Sequence, residues 1–382
     1  MNNTTGSLGE KLNVNVLVTG VGGGVGDSIL QALRLSGLST KIVGVDMEPW
    51  GAGLYKSDKS YLVPPASETD YKEELLNICH KEDIDVIIPG SDPELSVLAE
   101  HRGFFKDEGF EIIVSDRKLV DICRDKLRTH SFFKDRGLPF ADSLSADDYY
   151  KASGRLQFPL LVKPRGGSAS RGICVVLNEK ELEKYLGRAE DAVIQEYIIP
   201  SGWEGGRSNV LRDDIYSNGR LLQIEEVSTQ VLVESSGDVI GIFTSKNVLK
   251  SGVPIRIEPF QSKAINGLVE EIVAQLTELG LRGPCNFQCK ISSEGPIFFE
   301  LNPRFTGITS VRAAMGFNEI EAAIRFFIKG ESAESVQNIL KTQSNLLCKR
   351  FSANQLFTKA QLKKLKVSGY LNLSDRTFYE SG

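Results

Sequence analysis

The sequence predicts two architectures in series, an α/β half followed by an α+β half. Three observations predict it. Up to about residue 116, apolar strand-like runs alternate with amphipathic helical segments, the order of a parallel, doubly wound sheet. A glycine-rich turn, Gly20-Val-Gly-Gly-Gly-Val-Gly26, joins the first strand to the first helix. Beyond residue 117, strands come instead in pairs joined by glycine-containing turns, as in antiparallel sheets.

Each element has its own signal. Residues 1–13 are polar and read as a loose tail. Residues 14–19 are an apolar run suited to a buried strand. Residues 27–35 follow as a helix with Ile29, Leu30 and Leu33 on one face. Strands are expected at 41–46, 85–89 and 111–114, and helices at 71–81 and 94–102. The strand at 85–89 ends in Gly90-Ser91-Asp92. Residues 117–136 read as one charged helix with an apolar stripe of Leu119, Ile122, Leu127, Phe132 and Phe133, stopped by Gly137-Leu-Pro139. Three hairpins are expected after that: 160–163 with 173–177, 221–229 with 239–245, and 287–291 with 297–301. Residues 265–279 form an amphipathic helix. Residues 359–366 are basic and amphipathic, a solvated helix face before a lid or a dimer contact.

Composition narrows the function classes. The chain has 382 residues, 41% hydrophobic and 25% charged, the range of a globular protein with more than one domain. A net charge of -5 gives no footprint for nucleic acid. The six cysteines (79, 123, 174, 285, 289 and 348) contain no CxxC pair, and the chain has only three histidines, His80, His101 and His130. This excludes the usual zinc patterns. No apolar run approaches the roughly 20 residues of a membrane span, and the N-terminus lacks an apolar signal core. The expectation is a protein of the reducing cytoplasm with no membrane partner.

Four segments carry chemistry. The glycine loop follows a strand and opens a helix, where backbone N–H groups can hold a phosphate, and Asp46 ends the next strand where a dinucleotide fold places its ribose acid. The spacing of Gly20, Gly22 and Gly26 is GxGxxxG rather than GxGxxG. A nicotinamide site and a plain tight turn in a Rossmann-like domain both remain open on this motif, and nothing downstream resembles a hydride-transfer site. The second segment, Lys163-Pro-Arg-Gly-Gly-Ser-Ala-Ser-Arg-Gly172, delivers a lysine at a strand end into a Gly/Ser-rich loop. Such a loop can close over phosphates with its N–H groups while Lys163 and Arg171 supply charge. The third, residues 192–199, is apolar except for Gln195 and Glu196, and a carboxylate there needs a partner, an adenine amino group or a lysine. The fourth is the last hairpin. Strand period two puts Asn286, Gln288 and Lys290 on one face and Glu300, Asn302 and Arg304 together. Gln288, Glu300 and Asn302 offer oxygen ligands suited to Mg²⁺ on a nucleotide, and Arg304 can hold a transferring phosphoryl group.

In this order, the helix at Lys126, the KPRGGSASRGI loop, the IQEYI segment and NFQCK…FFELNPRFTG resemble an ATP-grasp enzyme. The closest flavour is the half-module of the carbamoyl phosphate synthase large subunit and its stand-alone ligase relatives, over roughly residues 14–330. The resemblance implies a Rossmann-like pre-ATP-grasp domain at 14–116 that shapes the substrate cleft. Linker helices and the small ATP-grasp lobe would fill 117–200, the large lobe 201–330, and a C-terminal extension 331–382.

It also implies roles. Lys126 and Lys163 would contact the nucleotide phosphates, and Arg171 with Gly166, Gly167 and Ser168 would form the mobile lid. Glu196 and the backbone of Tyr197 and Ile198 would hold adenine, and Glu204 the ribose. Gln288, Glu300 and Asn302 would arrange Mg²⁺, with Mn²⁺ as an alternative, and Arg304 would stabilise phosphoryl transfer with Asn302 and Arg171. Arg256 and Lys246 are the candidates for gripping the acceptor carboxylate. The implied activity is an ATP-dependent carboxylate–amine ligase working through an acyl phosphate on small, amino-acid-like substrates, commonly as a homodimer. The rival readings are an NAD(P)-linked oxidoreductase built on Gly20–Gly26 and Asp46, and an ATP-binding module without catalysis. A full carbamoyl phosphate synthase uses two phosphorylation modules, and this length suits one.

Overall fold

The computed structural model describes residues 12–151, 156–167, 172–187, 191–202, 222–343, 345–351 and 353–372. Three sheets organise them. The first contains five parallel strands: β1 (Asn13–Val18), β2 (Ser39–Asp46), β3 (Lys59–Leu62), β4 (Val86–Ile88) and β5 (Glu111–Ile112), ordered β3-β2-β1-β4-β5. Side chains on both faces are buried, which is why these strands read as continuous apolar runs. The strand order reverses between β1 and β4, so the carboxyl ends of those two strands flank a crevice. The glycine loop lies there, leading into helix Gly24–Arg34. A Cβ at Gly26 would sit 2.3 Å from the Gly20 carbonyl oxygen, so helix and strand approach closely only with glycine there.

The second sheet is antiparallel, with β6 (Ser143–Ser145), β7 (Leu160–Pro164), β8 (Cys174–Val176) and β9 (Ala192–Glu196) in the order β6-β9-β7-β8. The third is also antiparallel and larger. It contains β10 (Leu222–Val233), β11 (Val239–Lys250), β12 (Val253–Pro259), β13 (Gly283–Ser292), β14 (Gly295–Asn302) and β15 (Cys348–Lys349), ordered β14-β13-β10-β11-β12-β15. Cys285, Phe287, Cys289, Phe298 and Leu301 on one face of β13–β14 pack against Val269, Ile272, Val273 and Leu276 of helix Lys263–Thr277. That leaves the polar face of the hairpin toward the second sheet.

The three expected hairpins form, with register shifts in β10–β11 and, after Gln288, in β13–β14. Other segments differ from expectation. The single helix at 117–136 is two, Arg117–Arg124 and Lys126–Lys134. Asp125 breaks it by turning extended, and its carboxylate then accepts from the Leu127 and Arg128 N–H groups as the cap of the second helix. The strands β3, β6, β12 and β15 were not expected; most are too short to show a period. The C-terminal helix Lys359–Ser368 buries Gln361 and Leu365 and leads into β16 (Tyr370–Asn372). That strand pairs antiparallel with β3, so the C-terminal residues return to the edge of the first sheet. Among the described residues, no helix is long and apolar enough to cross a membrane.

Candidate nucleotide and substrate site

A cavity of about 550 Å³ lies where the three sheets meet. The second sheet and the residues after it contribute Leu161, Lys163, Ile173 and Gln195–Ile198. The third contributes Glu226, Asn247, Gln288, Lys290, Phe299, Glu300, Asn302 and Arg304, and the first contributes Gly23–Val25 and Gly90–Pro93.

Lys163 is delivered by β7 and is almost fully buried, at 4% exposure. Its ammonium donates to Gln195 Oε1 at 2.7 Å, and Gln195 in turn donates to Ser143 Oγ. Burial pushes the Lys163 ammonium down to about 8; Glu300 opposes that, Lys126 adds to it, and Glu226 opposes it. Lys290 is buried too, 4.4 Å over the Tyr197 ring and donating to its hydroxyl at 3.3 Å. Burial lowers its pKa, against the pull of Glu226 and Glu225. Among the described residues, neither lysine has a carboxylate within ion-pairing distance. Two buried cations facing one cavity are costly without an anion.

Lys126 opens its helix directly after Asp125. Its ammonium reaches the Arg165 and Gly167 carbonyls at 3.4 Å, and burial lowers its pKa while Glu300 and Asp92 raise it. Asp125 also takes Arg165 through Nε and Nη2, at 2.8–3.0 Å, tying the start of the Gly/Ser loop to this helix. Gly166 and Gly167 are open to solvent-side space, and Gly167 has φ +102. Ser168, Arg171 and Glu204 lie outside the described residues.

On the opposite wall, Gln288 pairs across the ladder with Glu300, and Asn286 with Asn302. A register shift after Gln288 turns Phe299 into the cavity as well. Asn302 Nδ2 donates to Glu300 Oε1 at 3.3 Å. Arg304 is committed to the first sheet. Its Nε and Nη2 take both carboxylate oxygens of Asp92 at 2.5 and 3.2 Å, Nη2 also reaches Asn302 Oδ1, and Nη1 the Phe305 carbonyl. Both side chains are only 11–12% exposed, and the carboxylate keeps this guanidinium charged against its desolvation.

Sequence reasoning missed Glu226. It sits on β10 opposite Asn247 and beside Lys290, with Gln223 donating to it at 2.8 Å, and burial raises its pKa against Lys290. The alternation Glu226, Ser228, Gln230 on that strand was the available signal. Asp92 was noted only as a strand end. Lys246 and Arg256 do not line the cavity: Lys246 faces Glu225 and Phe260, and Arg256 is exposed on β12. Period two turns both away from the polar face that holds Asn247. The nicotinamide reading loses its acid. Asp46 Oδ2 accepts from the Gly22 N–H at 2.7 Å and Oδ1 from the Glu48 N–H, so the loop closes on its own strand. A Cβ at Gly22 would lie 2.9 Å from Gly51 Cα, which shows how tightly that turn is filled.

Residues 16–113 match the family described as PylC-like, N-terminal domain, and residues 220–348 match ATP-grasp in the biosynthetic pathway with Ter operon. The chain is 27% identical over 263 residues to the formate-dependent phosphoribosylglycinamide formyltransferase of Bacteroides fragilis, covering 66% of this chain and 63% of that protein. It is 25% identical over 293 residues to the carbamoyl phosphate synthase large chain of Clostridium botulinum, covering 72% of this chain but only 24% of that one. The chain therefore spans less than two thirds of the length of these relatives. Among solved structures, the fold matches N5-carboxyaminoimidazole synthetase from Staphylococcus aureus complexed with ADP, with a TM-score of 0.62, 18% identity, and 84% and 79% of the two chains covered. It also matches an L-amino acid ligase from Bacillus licheniformis, with a TM-score of 0.61, 17% identity, and 87% and 78% covered. The three-sheet architecture is thus shared with these solved structures, and residues 220–348 match an ATP-grasp family model.

Proposed function

We propose that this protein is an ATP-dependent carboxylate–amine ligase. ATP phosphorylates a small, amino-acid-like carboxylate, an amine displaces phosphate from the acyl phosphate, and an amide, ADP and phosphate leave. The observation that carries the reading is buried Lys163 on one wall of the cavity, with no carboxylate at ion-pairing distance among the described residues, facing the oxygen-rich hairpin of Gln288, Glu300 and Asn302 on the other.

In this reading Lys126 and Lys163 neutralise the nucleotide phosphates under the loop of Gly166, Gly167, Ser168 and Arg171. Glu196 and the backbone of Tyr197 and Ile198 hold adenine. Glu226 joins Glu204 as a candidate for the ribose hydroxyls, as a buried acid on the cavity wall beside Tyr197 and Lys290. Gln288, Glu300 and Asn302 fit a divalent ion that arrives on phosphates: they offer one carboxylate and two amides, and no cluster of three or more His, Cys, Asp or Glu exists among the described residues. Mg²⁺, or Mn²⁺ in its place, supplies charge neutralisation at the phosphoryl oxygens. Arg304 would reach the transferring group from its present place between Asp92, Asn302 and the Phe305 carbonyl by exchanging one of these contacts. The protein's share is positioning and electrostatics, with no covalent nucleophile. Six free cysteines, four of them buried, support a reducing cytoplasm as the place of work.

The test is product release from ATP·Mg²⁺ with pooled amino acids and small carboxylates, with Glu300→Gln as control. ADP that requires a pool and vanishes in the variant supports the ligase. AMP would replace the acyl phosphate with an adenylate, and ADP release unaffected by Glu300→Gln would remove the site.

A further inference from the structure

Asp92 belongs to the first sheet, at the first position of helix Asp92–Glu100, where the strand order reverses. Its carboxylate is 12% exposed and lies against the far wall of the cavity. A continuous chain of hydrogen bonds leaves it. Asp92 accepts from Arg304 Nε and Nη2; Arg304 Nη2 donates to Asn302 Oδ1 at 3.2 Å; Asn302 Nδ2 donates to Glu300 Oε1 at 3.3 Å. Arg124 adds a second cation 3.8 Å from Asp92.

We propose that Asp92 is a positioning residue for the metal-binding hairpin: it fixes Arg304, and through Arg304 and Asn302 it sets the orientation of the Glu300 carboxylate. The proposal rests on the ligase reading of Glu300. Two features of the network favour it. The Asn302 amide is polarised at both ends, so its Oδ1 faces the guanidinium and its Nδ2 faces Glu300, and a flip would break both bonds. The guanidinium holds Asp92 as a two-point fork, which fixes direction as well as distance. The residue that sets this geometry comes from the N-terminal sheet, so the element that borders the substrate end of the cavity also aims the metal carboxylate. Outer partners of metal-ligating carboxylates commonly change metal affinity 10- to 100-fold when removed.

The experiment measures ADP affinity calorimetrically across a range of Mg²⁺ concentrations, using the full chain. Asp92→Asn keeps the shape and removes the charge; Arg304→Lys keeps the charge and removes the fork. In both, the Mg²⁺ concentration that half-maximally tightens ADP binding should rise about tenfold; in Asp92→Asn the affinity for ADP without metal should stay within about twofold of the parent. The double variant should shift no further than either single one, because the two act in one path. Asp92→Glu should recover part of the shift. An unchanged Mg²⁺ dependence in Asp92→Asn overturns the proposal, and so does an equal loss of metal-free ADP affinity, which would mark general damage. If the parent protein itself binds no ADP at any Mg²⁺ concentration, the ligase reading fails and this proposal falls with it.

Discussion

Replacing Lys163 with methionine separates the cost of the site from its use. Lys163 is 4% exposed, and burial holds its ammonium near 8, against about 10.4 in water. At neutral pH the fold therefore carries the charged side chain at a cost of about 3 kcal/mol. Methionine keeps most of the volume and removes that cost. It also removes the bond to Gln195, a loss of about 1 kcal/mol. The ligand-free variant should thus be more stable by about 2 kcal/mol, raising Tm by roughly 2–3 °C. Its ADP affinity should fall roughly ten- to hundredfold, the loss of one charge-assisted contact to phosphate. Differential scanning calorimetry and ADP titration on the same samples read both. Unchanged ADP affinity would show that Lys163 meets no phosphate. A Tm several degrees lower would show that the ammonium is held for structure, and the charge argument would be wrong.

Other outcomes follow from the same contacts. Because the folded pKa of Lys163 is depressed, the unfolded chain binds more protons between about pH 8 and 10.4, so the ligand-free protein gains stability as pH rises through that window, and the gain vanishes in Lys163→Met. A bound phosphate favours the charged ammonium, so ADP binding at pH 8–9 should take up as much as about one proton; calorimetry in buffers of different ionisation enthalpy reads this, and zero uptake refutes it. In Gly22→Ala the new Cβ would meet Asp46 Oδ2 and Gly51 Cα at 2.9 Å, costing about 1–3 kcal/mol in urea unfolding without changing ADP affinity; NADH should stabilise neither form. Arg312 is buried against Glu319, Thr306, Thr309 and Gln230. Arg312→Met strands the Glu319 carboxylate and should cost about 3–5 kcal/mol, most of it recovered in Arg312→Met with Glu319→Leu.

The sequence by itself determined the order of architectures and the hairpin and strand-end residues that line the cavity, Lys163, Gln288, Glu300 and Asn302 among them. Those features are local. Continuous apolar runs mark strands buried on both faces, and period two places Gln288 with Lys290 and Glu300 with Asn302 whatever the rest of the chain does. Lys163 was legible because a lysine at the end of an apolar strand beside a Gly/Ser loop has few structural uses. The broken helix at Asp125 was not legible, because the residue that breaks it is also the cap and the clamp on Arg165, a contact 40 residues away in sequence. Lys246 and Arg256 looked as eligible as any cation in the third sheet, and only the pairing of β10, β11 and β12 turned Asn247 inward and those two out. Glu226 is an acid among apolar residues in the sequence; it becomes a site residue when Lys290 and Asn247 arrive from other strands. Asp92 reaches Arg304 across 212 positions, and the C-terminal strand β16 reaches β3 across the whole chain. Only the tertiary structure decided these, because which side chains share a buried space depends on strand order, and strand order is set by packing between segments that carry no record of one another in their own sequence.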